Sequence, residues 1–202
     1  MATTSTRPPA RDRLLDAAET LFAEQGIAAT GVDAVLRRAG VAPATLYAHF
    51  AGKDGLVAAY LERRHRRWRA VWDDVLERCG DDVDARAVSV VDALAELHRR
   101  DLPGRGCAFL AAAVEVTDPD HPAHRWLVQD SRLLADRLTT LAAATGADDA
   151  DALAAELLLL YDGALAARAR ALTAGRGGPV APPDLAAVRA LAVAAVGRHR
   201  RT

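Results

Sequence analysis

Two cysteines, Cys79 and Cys107, are too few for a disulfide framework or a cysteine-based metal site. Aromatic residues make up only 4% of the chain, and there is one methionine and one lysine, Lys53. The most apolar run, Leu157 to Leu160, is bracketed by Glu156 and Asp162 and is far too short to span a bilayer. Residues 1–9 lack the apolar core of a signal peptide. A soluble cytoplasmic protein with no membrane partner is therefore expected. The formal net charge of -1 excludes a chain that binds polyanions over its whole surface. No nucleophile–base pair, glycine-rich phosphate loop or zinc motif stands out. The paired carboxylates Asp73-Asp74, Asp81-Asp82 and Asp148-Asp149 read as helix caps and solvated faces. The expectation is no enzyme, no cofactor and no metal; His121 and His124 with Asp118 and Asp120 match no metal spacing.

What is abundant is alanine and leucine, within a hydrophobic share of 51% over 202 residues. These residues favour helix, and strand formers are thin. An all-α protein follows, with about nine helices. Helix 1 is expected over 10–25, ended by Gly26, and helices 2 and 3 over 31–39 and 43–49. Helix 4 runs over 53–79 and helix 5 over 83–100, with Val83, Val90, Leu94 and Leu97 inward. Helix 6, over 107–117, is nearly all apolar and is expected to be buried. Helices 7, 8 and 9 follow over 122–144, 149–173 and 184–198. Residues 1–8 read as a disordered arm, 101–106 as a loop, 175–183 as a Pro/Gly-rich flexible connection and 198–201 as a basic tail. Charge is uneven: Arg11, Arg13, Arg37, Arg38 and Lys53 mark the N-terminal part, and Asp81 to Asp84 and Asp148 to Asp151 lie beyond it. The arginine-rich middle of helix 4, Arg63 to Arg69, reads as a solvated face.

Residues 27–54 organise the rest. Thr30 can cap helix 2 through its hydroxyl. Val32, Val35, Leu36 and Ala39 give that helix an apolar stripe. Gly40 permits the left-handed turn that ends it, and Pro43 suits the first position of helix 3. Leu46 and Phe50, one turn apart, can face a core and leave Thr45, Tyr47 and His49 on other faces. This is a helix-turn-helix pattern over about 31–50, with helix 3 as the recognition helix.

Three spaced segments carry a family resemblance. They are Leu14-Leu15-Asp16-Ala17-Ala18 with Leu21 to Gly26, Val32 to Gly40, and Thr45-Leu46-Tyr47-Ala48-His49-Phe50 with Gly52-Lys53-Asp54-Gly55-Leu56. Over roughly residues 8–60 the chain resembles the TetR-family DNA-binding domain, departing from its pattern at Gly31, Leu36 and Ala42. The resemblance implies a DNA-binding domain over 1–54 and a ligand-binding and dimerisation domain over 55–202.

It also implies a homodimer through helices 8 and 9. Two heads spaced about 34–36 Å apart, or a multiple of that, would meet two half-sites of a palindromic DNA operator. Thr45, Tyr47 and His49 resemble the family's contact positions. Thr30 and Lys53 suit phosphate contacts at helix N-termini. Tyr47 can reach a phosphate or a thymine methyl. Pro43 and Ala44 offer apolar contact to bases, and Arg37 and Arg38 supply charge.

A small organic effector is expected among helices 4 to 8, where an apolar pocket with a few polar groups would suit it. Trp68, Trp72, Phe109, Leu110, Trp126, Leu127, Leu134 and Tyr161 are the apolar candidates, and His98, Glu115 and Asp162 the polar ones. Cys107, beside Arg105 at a helix start, is a candidate thiolate sensor of oxidants or electrophiles. The reading is a ligand-responsive repressor. The alternatives are a helical interaction module without DNA binding and a thiol-based sensor using Cys107.

Overall fold

The structure, a computed structural model, describes residues 8–100, 107–174 and 183–200. Residues 1–7 of the expected arm, the loop over 101–106, residues 175–182 of the expected connection and the last two residues, Arg201 and Thr202, lie outside the described residues. Among the described residues the elements are all helical: α1 (Ala10–Gln25), α2 (Val32–Ala39), α3 (Pro43–Phe50), α4 (Lys53–Cys79), α5 (Val83–Arg100), α6 (Ala108–Glu115), α7 (His124–Ala144), α8 (Ala150–Ala174) and α9 (Leu185–His199). None of these helices is long and apolar enough to cross a membrane.

The contacts group the chain into two compact units. The first holds the residues up to Arg63 together with Ala108–Leu127; the second holds Arg64–Cys107 and Val128 onward. The expected boundary near residue 54 falls inside α4.

In the first unit the core is built from Leu14, Ala18, Leu21 and Phe22 of α1, Val35 and Leu36 of α2, Leu46 and Phe50 of α3, and Leu56, Tyr60 and Leu61 of α4. Phe22 meets the Tyr60 ring edge-on at 5.3 Å, a favoured aromatic geometry. Ala112, Val116 and Ala123 of the inserted segment close this core.

Helix 6 was expected to be buried, and it is not. Only Ala112 of α6 is buried, and Val114 is 77% exposed. Its sequence is apolar on nearly every side, so periodicity gave no direction, and the core takes up Ala112 fully and Ala108 and Phe109 in part.

In the second unit Trp68, Trp72 and Val75 of α4 pack with Val88, Val91 and Leu94 of α5, Leu134 and Leu138 of α7, and Leu153, Leu157 and Leu165 of α8. The end of α9 adds Ala192, Ala195 and Val196 and packs on both α5 and α8. Val83, expected inward, lies at the rim and is exposed. Aspartates cap the starts of α5, α8 and α9. Asp82 accepts from Ala85 N at 3.0 Å, Asp149 from Ala152 N at 2.9 Å and Asp184 from Ala186 N at 2.9 Å. Each satisfies a backbone donor that has no partner inside its helix.

Candidate nucleic-acid interface

The head is built around two short helices and the turn between them. α2 ends at Gly40, whose φ of 62° and ψ of 48° are left-handed, and the Gly40 N–H closes onto the Leu36 carbonyl at 2.9 Å. Glycine takes this conformation without the steric cost a Cβ brings. Ala42 then stands extended as the cap of α3, and Pro43 fills the first helical position, where its missing N–H costs nothing.

Of the eight residues of α3 only Leu46 and Phe50 are buried. Pro43, Ala44, Ala48 and His49 are exposed, Thr45 is half-buried, and Tyr47 is 60% exposed. Arg37 and Arg38 are exposed at the end of α2. On the inner side the Arg11 guanidinium lies 5.4 Å from the Phe50 ring centre, and Arg63 pairs with Asp16 at 2.7 Å and with Glu19.

Thr30 departs from its expected role. Gly31, not Thr30, is the N-cap of α2, and no side chain caps that helix. Thr30 is fully buried, with its hydroxyl 2.6 Å from the Gly26 carbonyl and 3.3 Å from that of Leu21. It satisfies carbonyls at the end of α1 and presents no hydroxyl at the surface.

Lys53, at the first position of α4, donates to the Ala28 carbonyl at 3.1 Å. Glu115 reaches the same turn from the other side, accepting from Ile27 N at 3.2 Å and from Ala28 N. Glu115 was expected to meet a ligand; here it satisfies backbone donors of the α1–α2 turn. No signal within one helix could have shown this, because the partners are 88 residues apart.

The remaining effector candidates are divided between the two units. Phe109, Leu110, Glu115, Trp126 and Leu127 belong to the first unit, where Phe109, Trp126 and Leu127 lean on its core and Leu110 is exposed. Trp68, Trp72, His98, Cys107, Leu134, Tyr161 and Asp162 belong to the second. There Trp68 lies 5.4 Å from Trp72 and 5.5 Å from Tyr161, ring centre to ring centre. His98 is half-buried near the end of α5. Cys107 is half-buried against the second unit's core, and Arg105, its expected activating neighbour, lies outside the described residues.

Two residues missed from sequence join the second group. Asp130 of α7 is buried, and its carboxylate lies 3.4 Å from Nδ1 of His65. Burial, with the charge of Asp162 second, pushes its pKa up to about 7. Asp162 is also raised by burial, and His65 is lowered by burial and by Arg69. An odd buried acid amid helical periodicity was the only available signal for Asp130.

A cleft of about 300 Å3 also opens between α5 and α9, lined by Asp82, Asp84, Val88, Arg189, Val196 and Arg200. Both of its arginines are paired, Arg200 with Asp84 and Arg189 with Asp92 at 2.9 Å, and Asp82 caps α5. Among the described residues no three His, Cys, Asp or Glu side chains are grouped to hold a metal ion. His121 instead accepts from Ala123 N at 3.0 Å and lies 3.4 Å from Asp54.

Comparison with known proteins gives this geometry a context. Residues 14–60 match the family described as bacterial regulatory proteins, tetR family. The crystal structure of SCO4454, a TetR-family transcriptional regulator from Streptomyces coelicolor, is 35% identical, with a TM-score of 0.73 over 94% of this chain and 93% of that one. The uncharacterized HTH-type transcriptional regulator Rv1255c of Mycobacterium tuberculosis is 29% identical over 84% of this chain and 93% of its own length. The HTH-type transcriptional regulator UidR of Escherichia coli is 32% identical over 69 residues, 34% of this chain and 35% of its own length.

Proposed function

The chain belongs to the TetR family of transcriptional regulators, and from that premise we propose that it is a homodimeric repressor released from a palindromic operator by a small organic effector. The observation that carries the DNA-reading part is the outer face of α3, where Tyr47 stands 60% exposed beside the exposed Pro43, Ala44 and His49. Thr45 and Tyr47 supply hydroxyls for phosphate or base edges, Pro43 and Ala44 apolar contact, and Arg37 and Arg38 charge. Lys53 sits at the start of α4, where a phosphate also gains from the helix dipole. Thr30 acts from beneath, by holding the end of α1.

The dimer reading draws on α8 and α9. Leu159 of α8 and Leu191 and Val193 of α9 are exposed, and Ala152, Ala155, Gly163 and Ala166 leave the outer face of α8 nearly free of bulk. A helix that is apolar on its outer as well as its inner face needs a second surface to cover it. A second copy supplies that surface and sets the spacing of the two heads. Division of labour between a DNA-binding domain over 1–54 and an effector and dimerisation domain over 55–202 belongs to this proposal. An effector shifts the equilibrium only through unequal affinity for the operator-bound and released states.

Tyr47→Ala tests the reading. With an operator selected from random double-stranded DNA, the variant is expected to remain a folded dimer and to lose about 10-fold or more in affinity, the cost of one good contact in each of two heads. Unchanged affinity would remove α3 from the interface.

A further inference from the structure

The second unit buries more polarity than its own side chains satisfy. Trp72 and Trp68 are the same residue type one helical turn apart on α4, and both are buried. The Trp72 indole N–H donates to Ser89 Oγ at 2.8 Å, whereas the Trp68 indole N–H, on a residue 4% exposed, has no acceptor. A buried donor without a partner is rare enough in folded proteins to call for an explanation. Its ring stands 5.5 Å from Tyr161, the residue before Asp162 on α8. Asp130 and His65 meet at 3.4 Å, and the charges of Asp130 and Asp162 both act on Tyr161.

Among the described residues Asp130 is faced by His65, at 3.4 Å, and Asp162 forms no ion pair. The positive charges near the cluster, Arg64 acting on Tyr161 and Arg69 acting on His65, leave both carboxyls in the raised range, and His65 is held toward its neutral form. Asp130 is buried and Asp162 half-buried in the unit whose core holds Trp68 and Tyr161, and acids combined with aromatic faces are the recognition chemistry of an organic cation. The carboxylates neutralise its charge and the rings meet it through their negative faces. Asp162 and His65 are half-buried, so the cluster reaches the surface of the unit.

Resting on the effector reading above, we propose that Asp130 and Asp162, with the Trp68 and Tyr161 rings, bind the ammonium group of a small organic amine, and that the Trp68 indole N–H donates to an oxygen or nitrogen acceptor on the same molecule. The effector class is thus a protonated amine with a flat or apolar body, not a neutral or anionic compound.

Calorimetric titration with tyramine and tryptamine, each against its uncharged alcohol, tyrosol and tryptophol, tests this on the full-length protein. At least one amine is expected to bind about ten-fold or more tightly than its alcohol. Asp162→Asn and Asp130→Asn are each expected to bring that ratio toward one without unfolding the protein. Equal affinity for amine and alcohol, a ratio that survives both substitutions, or no binding of either amine at millimolar concentration would overturn the proposal. The same ligands, added to the protein on its selected operator, separate the two claims. Alcohols that release DNA where amines do not would leave the effector reading standing and end the cation site. Amines that bind with the predicted ratio but leave operator affinity unchanged would keep the cation site and end the effector reading.

Discussion

Glu115 accepts a hydrogen bond from the Ile27 N–H at 3.2 Å across 88 residues of sequence, and so ties α6 to the turn that leads into the helix-turn-helix. Gly26 makes room for it. Its φ of +88° is a conformation that side chains rarely adopt, and a Cβ there would stand 3.3 Å from the Glu115 carboxylate. Lys53 holds the same turn by the Ala28 carbonyl. The segment 108–127 is joined at both ends to the second unit but packs with the first, so Glu115 is one of the points where it grips the head.

Glu115→Ala leaves two backbone donors without their carboxylate. A loss of about 1–2 kcal/mol in stability is expected, the scale of hydrogen bonds to a charged group that is partly solvated, with a several-fold loss of operator affinity. Glu115→Gln, which can accept but offers no charge, is expected to fall between. Thermal melts and fluorescence anisotropy on the same samples check both. An alanine variant with unchanged melting and unchanged affinity would reduce the contact to a surface accident.

Gly55 is a second glycine with a steric reason. A Cβ built there would overlap the Phe50 carbonyl oxygen and lie 2.8 Å from its carbonyl carbon. Both atoms are backbone, so no rotamer change relieves them. Gly55→Ala, ordinarily favourable inside a helix by up to about 1 kcal/mol, is expected here to destabilise by about 1–3 kcal/mol or more through overpacking. A urea titration reads this directly, and a neutral or stabilising result would contradict the close approach of α3 to α4.

Ala51 presents the opposite case. It is the one non-glycine residue with positive φ among the described residues, at 55°, where it ends α3. An L-residue pays about 1–2 kcal/mol in this region, while glycine pays chiefly in chain entropy. Ala51→Gly is therefore expected to raise stability by a few tenths to about 1 kcal/mol. A lower melting temperature would go against it.

Asp130 gives a pH dependence with a definite sign. Its folded pKa is pushed up to about 7 by burial and by Asp162, above the ordinary value of about 3.9 for an unfolded chain. Between those values the folded state holds a proton that the unfolded state has lost. Stability therefore falls as pH rises from about 4 to about 7 and levels off above, by roughly 4 kcal/mol at most from this one group. Asp162, raised by burial, adds in the same direction, while His65, lowered by burial and by Arg69, opposes it below the ordinary histidine value. Among the described residues His65 of α4 and Tyr161 and Asp162 of α8 lie near Asp130, and Cys107 and Arg64 act on the same Tyr161. Asp130→Asn is expected to flatten the profile and to be more stable than the parent at pH 8. Chemical denaturation at several pH values checks both, and a difference between parent and Asp130→Asn that does not change over that window would contradict the raised pKa of the buried acid.

The sequence made some of these features legible and hid others for physical reasons. Gly40, Pro43, Leu46 and Phe50 act through local rules of capping and periodicity, so the helix-turn-helix could be read before any fold was known. Thr30 could not: a threonine just before a helix reads as a cap, and only the packing of α1 against α2 turns its hydroxyl inward. Glu115 could not either, because its partners are backbone atoms of a distant turn. The apolar residues of α6 suggested burial, yet Leu110 and Val114 are exposed, since composition states how apolar a helix is and not how much neighbouring surface exists to cover it. The effector candidates were chosen as aromatic or polar side chains in apolar helices. That rule includes Trp68, Tyr161 and Asp162 of the proposed cation site and passes over Asp130, whose interest lies in the groups opposite it.

The central claim is that exposed α3 residues of two paired heads read a palindrome. Selection of bound sequences from a random double-stranded DNA pool, repeated across a salt series, tests it most directly. The account predicts an enriched palindrome with half-sites about one helical turn apart or a multiple of that, and affinity that falls steeply with salt as phosphate contacts are lost. No enrichment from a folded dimer at low salt would contradict it and favour a helical interaction module that does not read DNA.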